Sequence, residues 1–165
     1  SLRELTVVQM SKLADYGIIL LIALVRRSDN RPYSARKLAS QTDLPSPTVV
    51  KVLKILERAG LLRSTRGSQG GYDLARPADE ISVIEVLAAI DGLPAMTQCT
   101  SPATDPCQRE ATCTARGHWH LLNHTVRSSL QRLTLAQMAM PVGTQALLAQ
   151  QPTSNPRIGV GEVMR

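Results

Sequence analysis

The first strong apolar pattern in this chain begins after Ser11. Leu13, Tyr16, Gly17, Leu20, Leu21, Leu24 and Val25 recur at helical spacing, in a stripe wide enough to be largely buried. Arg26, Arg27 and the Ser-Asp-Asn-Arg-Pro run end that helix. Ser34 is positioned to cap a second helix, with Ala35, Leu38 and Ala39 facing inward. Thr42-Asp43-Leu44-Pro45 reads as a tight turn. Ser46 is expected to cap a third helix with Pro47 at its first position, where the missing N–H costs nothing. Val49, Val52, Leu53 and Leu56 follow an i, i+3, i+4, i+7 pattern and should face the core, leaving Thr48, Lys51, Lys54 and Arg58 on the other side. Gly60 closes the helix.

The period then shortens. Leu61 to Thr65 reads as a strand, Arg66-Gly-Ser-Gln-Gly-Gly71 as a turn, and Tyr72 to Leu74 as the return strand. Arg76-Pro-Ala-Asp79 is a linker. Ser82-Val-Ile-Glu85 is a capping-box pattern that opens a short helix to about Ala89, ended by Asp91-Gly-Leu-Pro94. A longer helix is predicted from Gly117 to Leu133, where Trp119, Leu122, Val126, Leu130 and Leu133 form a narrow seam suited to helix pairing. Thr134 can cap a last short turn through Met138.

The predicted fold is mainly α with a small β-hairpin wing: a winged helix-turn-helix plus a long dimerisation helix. Residues 8–76 form the DNA-binding unit, 77–116 a linker helix and cysteine loop, and 117–140 the dimerisation helix. Residues 141–165 are rich in Gln, Pro, Gly and Thr without a sustained period, and are expected to be a disordered tail.

Charge sharpens this picture. The formal net charge is +6, and between Ser34 and Arg66 seven Lys/Arg face two acids. Most of the excess therefore sits on the predicted reader, as a polyanionic partner would require. In a helix-turn-helix, residues early in the second helix meet base edges in the major groove. Ser46, Thr48, Lys51 and Lys54 are the candidates, and Arg66 at the glycine-flanked hairpin tip is the candidate wing contact. Spaced charges such as Lys51, Lys54 and Arg58 are more often only a solvated face; the combined pattern of elements favours double-stranded DNA. The longest apolar run, Ile18 to Val25, is far short of the ~20 residues a membrane span needs. No basic-then-apolar secretory pattern opens the chain, so a cytoplasmic protein is expected. No nucleophile–base pair or paired-acid motif stands out, and Gly67 to Gly71 lacks the Gly-Lys-Ser/Thr ending of a phosphate loop, so no enzyme is expected.

Cys99, Cys107 and Cys113 are the only cysteines, and all lie within fifteen residues. In a reducing compartment such thiols are metal ligands or redox sensors rather than a disulfide framework. Their softness suits an iron–sulfur cluster, zinc or copper(I). Clusters usually take four protein ligands. The fourth could be His118, His120, a carboxylate or a residue of a second subunit. Three cysteines with His118 would make an acceptable zinc site, although no Cys-x-x-Cys knuckle is present. A thiol switch and inert thiols also fit the spacing. His124 falls on the pairing helix and reads as structural or solvated.

Over about residues 8 to 140 the chain resembles the Rrf2 family of winged-helix bacterial regulators. Ser-Lys-Leu-Ala-Asp-Tyr-Gly (Ser11 to Gly17) is similar to their first helix, and Arg66-Gly-Ser-Gln-Gly-Gly-Tyr72 followed by Leu-Ala-Arg-Pro to their wing. The three-cysteine loop and Trp119 complete the match. Ala75 to Glu85 and Thr134 to Met138 look closest to the branch that regulates SUF-type iron–sulfur cluster assembly. The resemblance implies a homodimeric repressor that binds a cluster, 2Fe–2S or 4Fe–4S, through Cys99, Cys107 and Cys113, with cluster state altering operator binding. A histidine three residues after the third cysteine can be the fourth ligand in such regulators; here that position is Arg116, which cannot ligate. Related nitric-oxide-sensing repressors use an aspartate of the first helix from the partner subunit, and Asp15 stands at the matching position. The resemblance therefore favours Asp15 over His118. Its rivals are a nitric-oxide- or iron-responsive repressor of the same family and a zinc-stabilised interaction module.

Overall fold

A computed structural model describes residues 10–101 and 107–141. Beyond Pro141 the expected tail lies outside the described residues. The elements are α1 (Lys12–Val25), α2 (Ala35–Thr42), α3 (Ser46–Arg58), β1 (Leu62–Thr65), β2 (Gly71–Leu74), α4 (Val83–Asp91), α5 (Arg116–Arg132) and α6 (Leu135–Met138). Single 3-10 turns occupy Ala78–Glu80, in the predicted linker, and Gln98–Thr100. The fold is mainly helical with one antiparallel hairpin, a winged helix.

α1 is the hub. It packs against α2, α3, α4 and α6, and Leu20, Leu21 and Leu24 lie fully buried within it. Ala14 and Ile18 are buried too, because a helix enclosed on several sides needs apolar residues beyond one stripe. Gly17 lets α4 come close: a Cβ there would overlap the Ile90 Cδ1 methyl. Ser11 starts the helix by accepting a 3.0 Å hydrogen bond from the Ala14 N–H. Its hydroxyl also donates to the Asp91 carboxylate at 2.7 Å, joining the start of α1 to the end of α4.

Ser34 caps α2, accepting from the Lys37 N–H at 3.1 Å. Asp43 ends α2 with a left-handed φ of 54°, a region that Asp tolerates better than most residues. The start of α3 differs from expectation. Pro45 is the extended cap, Ser46 the first helical residue and Pro47 the second, and no side chain caps the helix. The residue before a proline disfavours helical geometry, which makes Ser46 read as the cap; the helix nevertheless begins one residue earlier, with the Pro45 carbonyl accepting from the Val49 N–H at 3.0 Å, and Pro47 in the first turn forfeits no helical bond.

The hairpin pairs Leu62 with Leu74, Arg63 with Asp73, Ser64 with Tyr72 and Thr65 with Gly71. It is not free-standing. Tyr33, between α1 and α2, exchanges both backbone hydrogen bonds with Tyr72, at 2.9 and 2.8 Å. A Cβ at Gly71 would lie 2.6 Å from the Tyr33 carbonyl, so this close approach requires glycine. Asp73 completes the junction. Its buried carboxylate meets Arg27 at 2.6 Å and Arg63 at 2.9 Å and accepts from the Leu74 N–H at 2.7 Å.

The capping box of α4 is present, with the Glu85 carboxylate accepting from the Ser82 N–H and hydroxyl, both at 2.8 Å. α4 runs to Asp91, two residues past the predicted end. On α5 the predicted seam divides. Leu130 and Leu133 pack on the chain's own core, whereas Trp119 and Leu122 are about 40% exposed, at 39% and 42%.

The Asp73 junction has a pH signature. Burial by itself would raise this carboxyl's pKa, but hydrogen bonds from Arg27 and Arg63 and from the Leu74 N–H bring it below its ordinary 3.8. A depressed carboxyl stabilises the fold above the unfolded value and loses that contribution as pH falls through the folded value. Asp73→Asn should therefore lower stability at pH 7 by on the order of 2 kcal/mol. Melting curves of the two proteins should converge as the pH falls below about 4.

Candidate DNA-reading surface and cysteine loop

α3 presents two unlike faces. Val49, Val52, Leu53 and Leu56 are buried. Pro47, Val50, Lys51, Lys54, Ile55 and Arg58 border an open groove on the other side. Ser46, Lys51 and Lys54 are exposed and Thr48 is half-buried. These four predicted readers therefore share one helix, with Ser46 and Thr48 in its first turn. Val50, 37% exposed, adds an apolar side chain of the kind that can meet a thymine methyl.

Arg66 is exposed at the hairpin tip, away from α3 along the chain but on the same reading head. Not every local cation is equally free. Arg63 is held by Asp73. Lys37 lies 3.7 Å from Asp29, with its Nζ 3.4 Å from the centroid of the Tyr33 ring. Lys51, Lys54 and Arg66 are thus the better placed of the predicted positive charges for a phosphate or a base edge.

The cysteine loop is built in two parts. Cys99 sits inside the 3-10 turn Gln98–Thr100, with its Sγ 3.2 Å from the Thr97 hydroxyl. Cys107 and Cys113 bracket a second run of turns. The Cys107 carbonyl accepts from Glu110 N–H at 3.0 Å, and the Cys113 carbonyl from Arg116 N–H at 3.3 Å. All three thiols are free and half-buried. Arg116 is engaged with Glu110 at 2.8 Å, an ion pair that braces the turn between the second and third cysteines. Asp15 is exposed in the first turn of α1, and His118 and His120 are exposed at the start of α5. Among the described residues of one chain, no three His, Cys, Asp or Glu side chains converge into a metal-holding group. No helix of the described residues is long and apolar enough to cross a membrane.

The chain as a whole has counterparts among known proteins. The family model for Rrf2, an iron-dependent transcriptional regulator, matches residues 10–141. A Mycobacterium tuberculosis protein named as an HTH-type transcriptional regulator is 33% identical over 131 residues, covering 79% of this chain and 81% of its own. Of solved structures, CymR of B. subtilis, described as the global cysteine regulator, aligns with a TM-score of 0.62 at 25% identity, over 81% of this chain and 97% of that one. T. potens IscR aligns with a TM-score of 0.62 at 26% identity, over 88% and 93%.

The exposed α3 face yields a test. Lys51→Ala should weaken binding to a duplex selected by the protein itself. If Lys51 reads a base, about 1–3 kcal/mol of discrimination is lost at one position. If it meets a phosphate, all sequences weaken alike and the salt slope falls by about one. Arg66→Ala should weaken binding in the second way. Fluorescence anisotropy over a salt series distinguishes these outcomes, and unchanged binding of the Lys51 variant would remove α3 from the reading role.

Proposed function

The chain belongs to the Rrf2 family of transcriptional regulators, and from that premise we propose that it is a cluster-binding repressor of SUF-type iron–sulfur assembly genes, responding to cluster, iron or redox status. It acts in the cytoplasm as a homodimer on a double-stranded operator, each reading head supplying one α3 and one wing. Two half-sites read by a dimer must match the pitch of the duplex, so small changes in head spacing alter affinity.

The observation that carries this reading is the cysteine loop. The chain's only three thiols are free, half-buried and set between the linker helix α4 and α5. The donor set fits an iron–sulfur cluster, since three soft thiolates need one further ligand. Arg116 is excluded by its chemistry and is occupied by Glu110. The resemblance to repressors that use a first-helix aspartate of the partner subunit favours the partner subunit's Asp15 for the fourth position, and Asp15 is exposed near the start of α1. When bound, a cluster supplies an oxidant-sensitive centre. The rest belongs to the chain's own residues: Ser11 and Asp91 join the start of α1 to the end of α4, where the cysteine loop departs. Movement of the loop therefore has a short route to the helix around which the reading head is packed.

Anaerobic purification with an absorption spectrum and iron, sulfide and zinc analysis tests the reading. A coloured protein with matched iron and sulfide is expected, whereas a colourless protein with stoichiometric zinc would make it a zinc-stabilised module. Asp15→Ala should render the cluster labile and His118→Ala should not; the reverse would move the fourth ligand to His118.

A further inference from the structure

The segment that carries Cys99 is fastened to α5 by two polar side chains. Asn123 is 7% exposed, the one buried residue of α5, and its Oδ1 accepts from the Met96 N–H at 3.2 Å. One helical turn further on, Arg127 donates from Nε to the Pro94 carbonyl at 2.7 Å, and from its Nη2 to the Thr100 carbonyl at 3.4 Å. Between these attachments the turn locks itself. The Thr97 N–H donates to the Thr100 hydroxyl at 3.1 Å, and that hydroxyl donates to the Thr97 carbonyl at 2.9 Å. Cys99 lies at the centre of this small unit.

The 3-10 turn itself packs on α5, and the residues that lead into it border a cavity. Beneath residues Leu93–Met96 is an apolar hollow of about 410 Å³, lined by Leu87, Val126 and Leu130 among others. On the side that faces the hollow this stretch has fewer dispersion contacts to hold its position. Its backbone polar groups must also find partners as they leave water. Asn123 and Arg127 supply those partners. Arg127 contributes the charged donor, and hydrogen bonds to charged groups are the stronger ones.

We propose that Asn123 and Arg127 are positioning residues for Cys99, fixing the first thiol of the loop to the middle of α5. Cys107 and Cys113 are held separately, at the start of α5, through the Glu110–Arg116 pair and the turns around it. The thiols thus have two anchors on one helix. A change of bonding at Cys99 pulls on Arg127, and a change in what covers α5 pulls on Cys99. The regulatory meaning of this clamp rests on the sensing role proposed above. Thiol reactivity reads the clamp and metal content reads the sensing role, so the two fail separately.

The test uses the full chain, metal-free and reduced. Alkylation by iodoacetamide is followed for each cysteine by mass spectrometry. Arg127→Ala should accelerate alkylation of Cys99 at least about fivefold, the loss of one charged hydrogen bond, and leave Cys107 and Cys113 unchanged. Arg127→Lys, which keeps a donor for the Pro94 carbonyl, should restore part of the protection, and Asn123→Ala should act in the same direction as Arg127→Ala. Equal acceleration at all three cysteines, or none at Cys99, would overturn the proposal. Should the alanine variants fail to fold, hydrogen exchange on the wild-type chain decides. The Met96 amide is then expected to be protected more than its exposed neighbours in residues 93–98, and a freely exchanging Met96 amide overturns the clamp.

Discussion

An aliphatic core has to be filled by bringing helices close, because few of its side chains are large. This chain has no Phe and one Trp, and that Trp lies outside the core. α1 meets the constraint by burying residues around most of its circumference and by placing Gly17 where α4 crosses. The helix-turn-helix, the wing strand and the last short helix all pack on α1 directly. The linker helix α4 does so too, and its far end releases the cysteine loop. Packing density in such interiors leaves little room for slack, so displacement of α4 is felt along α1.

Polar contacts tie the remaining parts to that hub. Asp73 gathers two arginines from different parts of the reading head, and the Tyr33–Tyr72 bridge adds backbone pairing to the hairpin's edge. A two-stranded hairpin alone is marginal in water; here the segment between α1 and α2 supplies a partial third member. The wing therefore moves with the reading head and carries Arg66 with it. The reading head and the thiol loop meet at α4, which packs on α1 and α3 on one side and α5 on the other.

Much of this was legible before any coordinates. The apolar period marked α1, α3 and α5, and α3 buries the four residues its spacing says it buries. The glycine-rich turn marked the wing, and Ser11, Ser34, Ser82 and Thr134 marked helix starts through a local chemistry that tertiary structure did not override. The start of α3 differs from expectation by one residue, since Ser46 before Pro47 resembles a cap, whereas the Pro45 carbonyl already accepts the first helical bond. Long-range polar contacts were not legible at all. Nothing local distinguishes Arg27 as a partner of Asp73, or Arg127 as a partner of a carbonyl 33 residues earlier. The seam on α5 was read as a single surface, yet its lower half belongs to the chain's own core. The candidate site was legible as a set of residue types, three thiols and a row of cations, but not as an arrangement.

The position of Trp119 has a practical consequence. It is the sole indole in the chain, and it stands 39% exposed near the start of α5, apart from the aliphatic core. Intrinsic fluorescence excited at the indole therefore says little about the interior of this protein. It reports the polarity of one small area near the start of α5, on the more exposed half of the seam. The chain thus carries a single-site probe on the exposed part of α5.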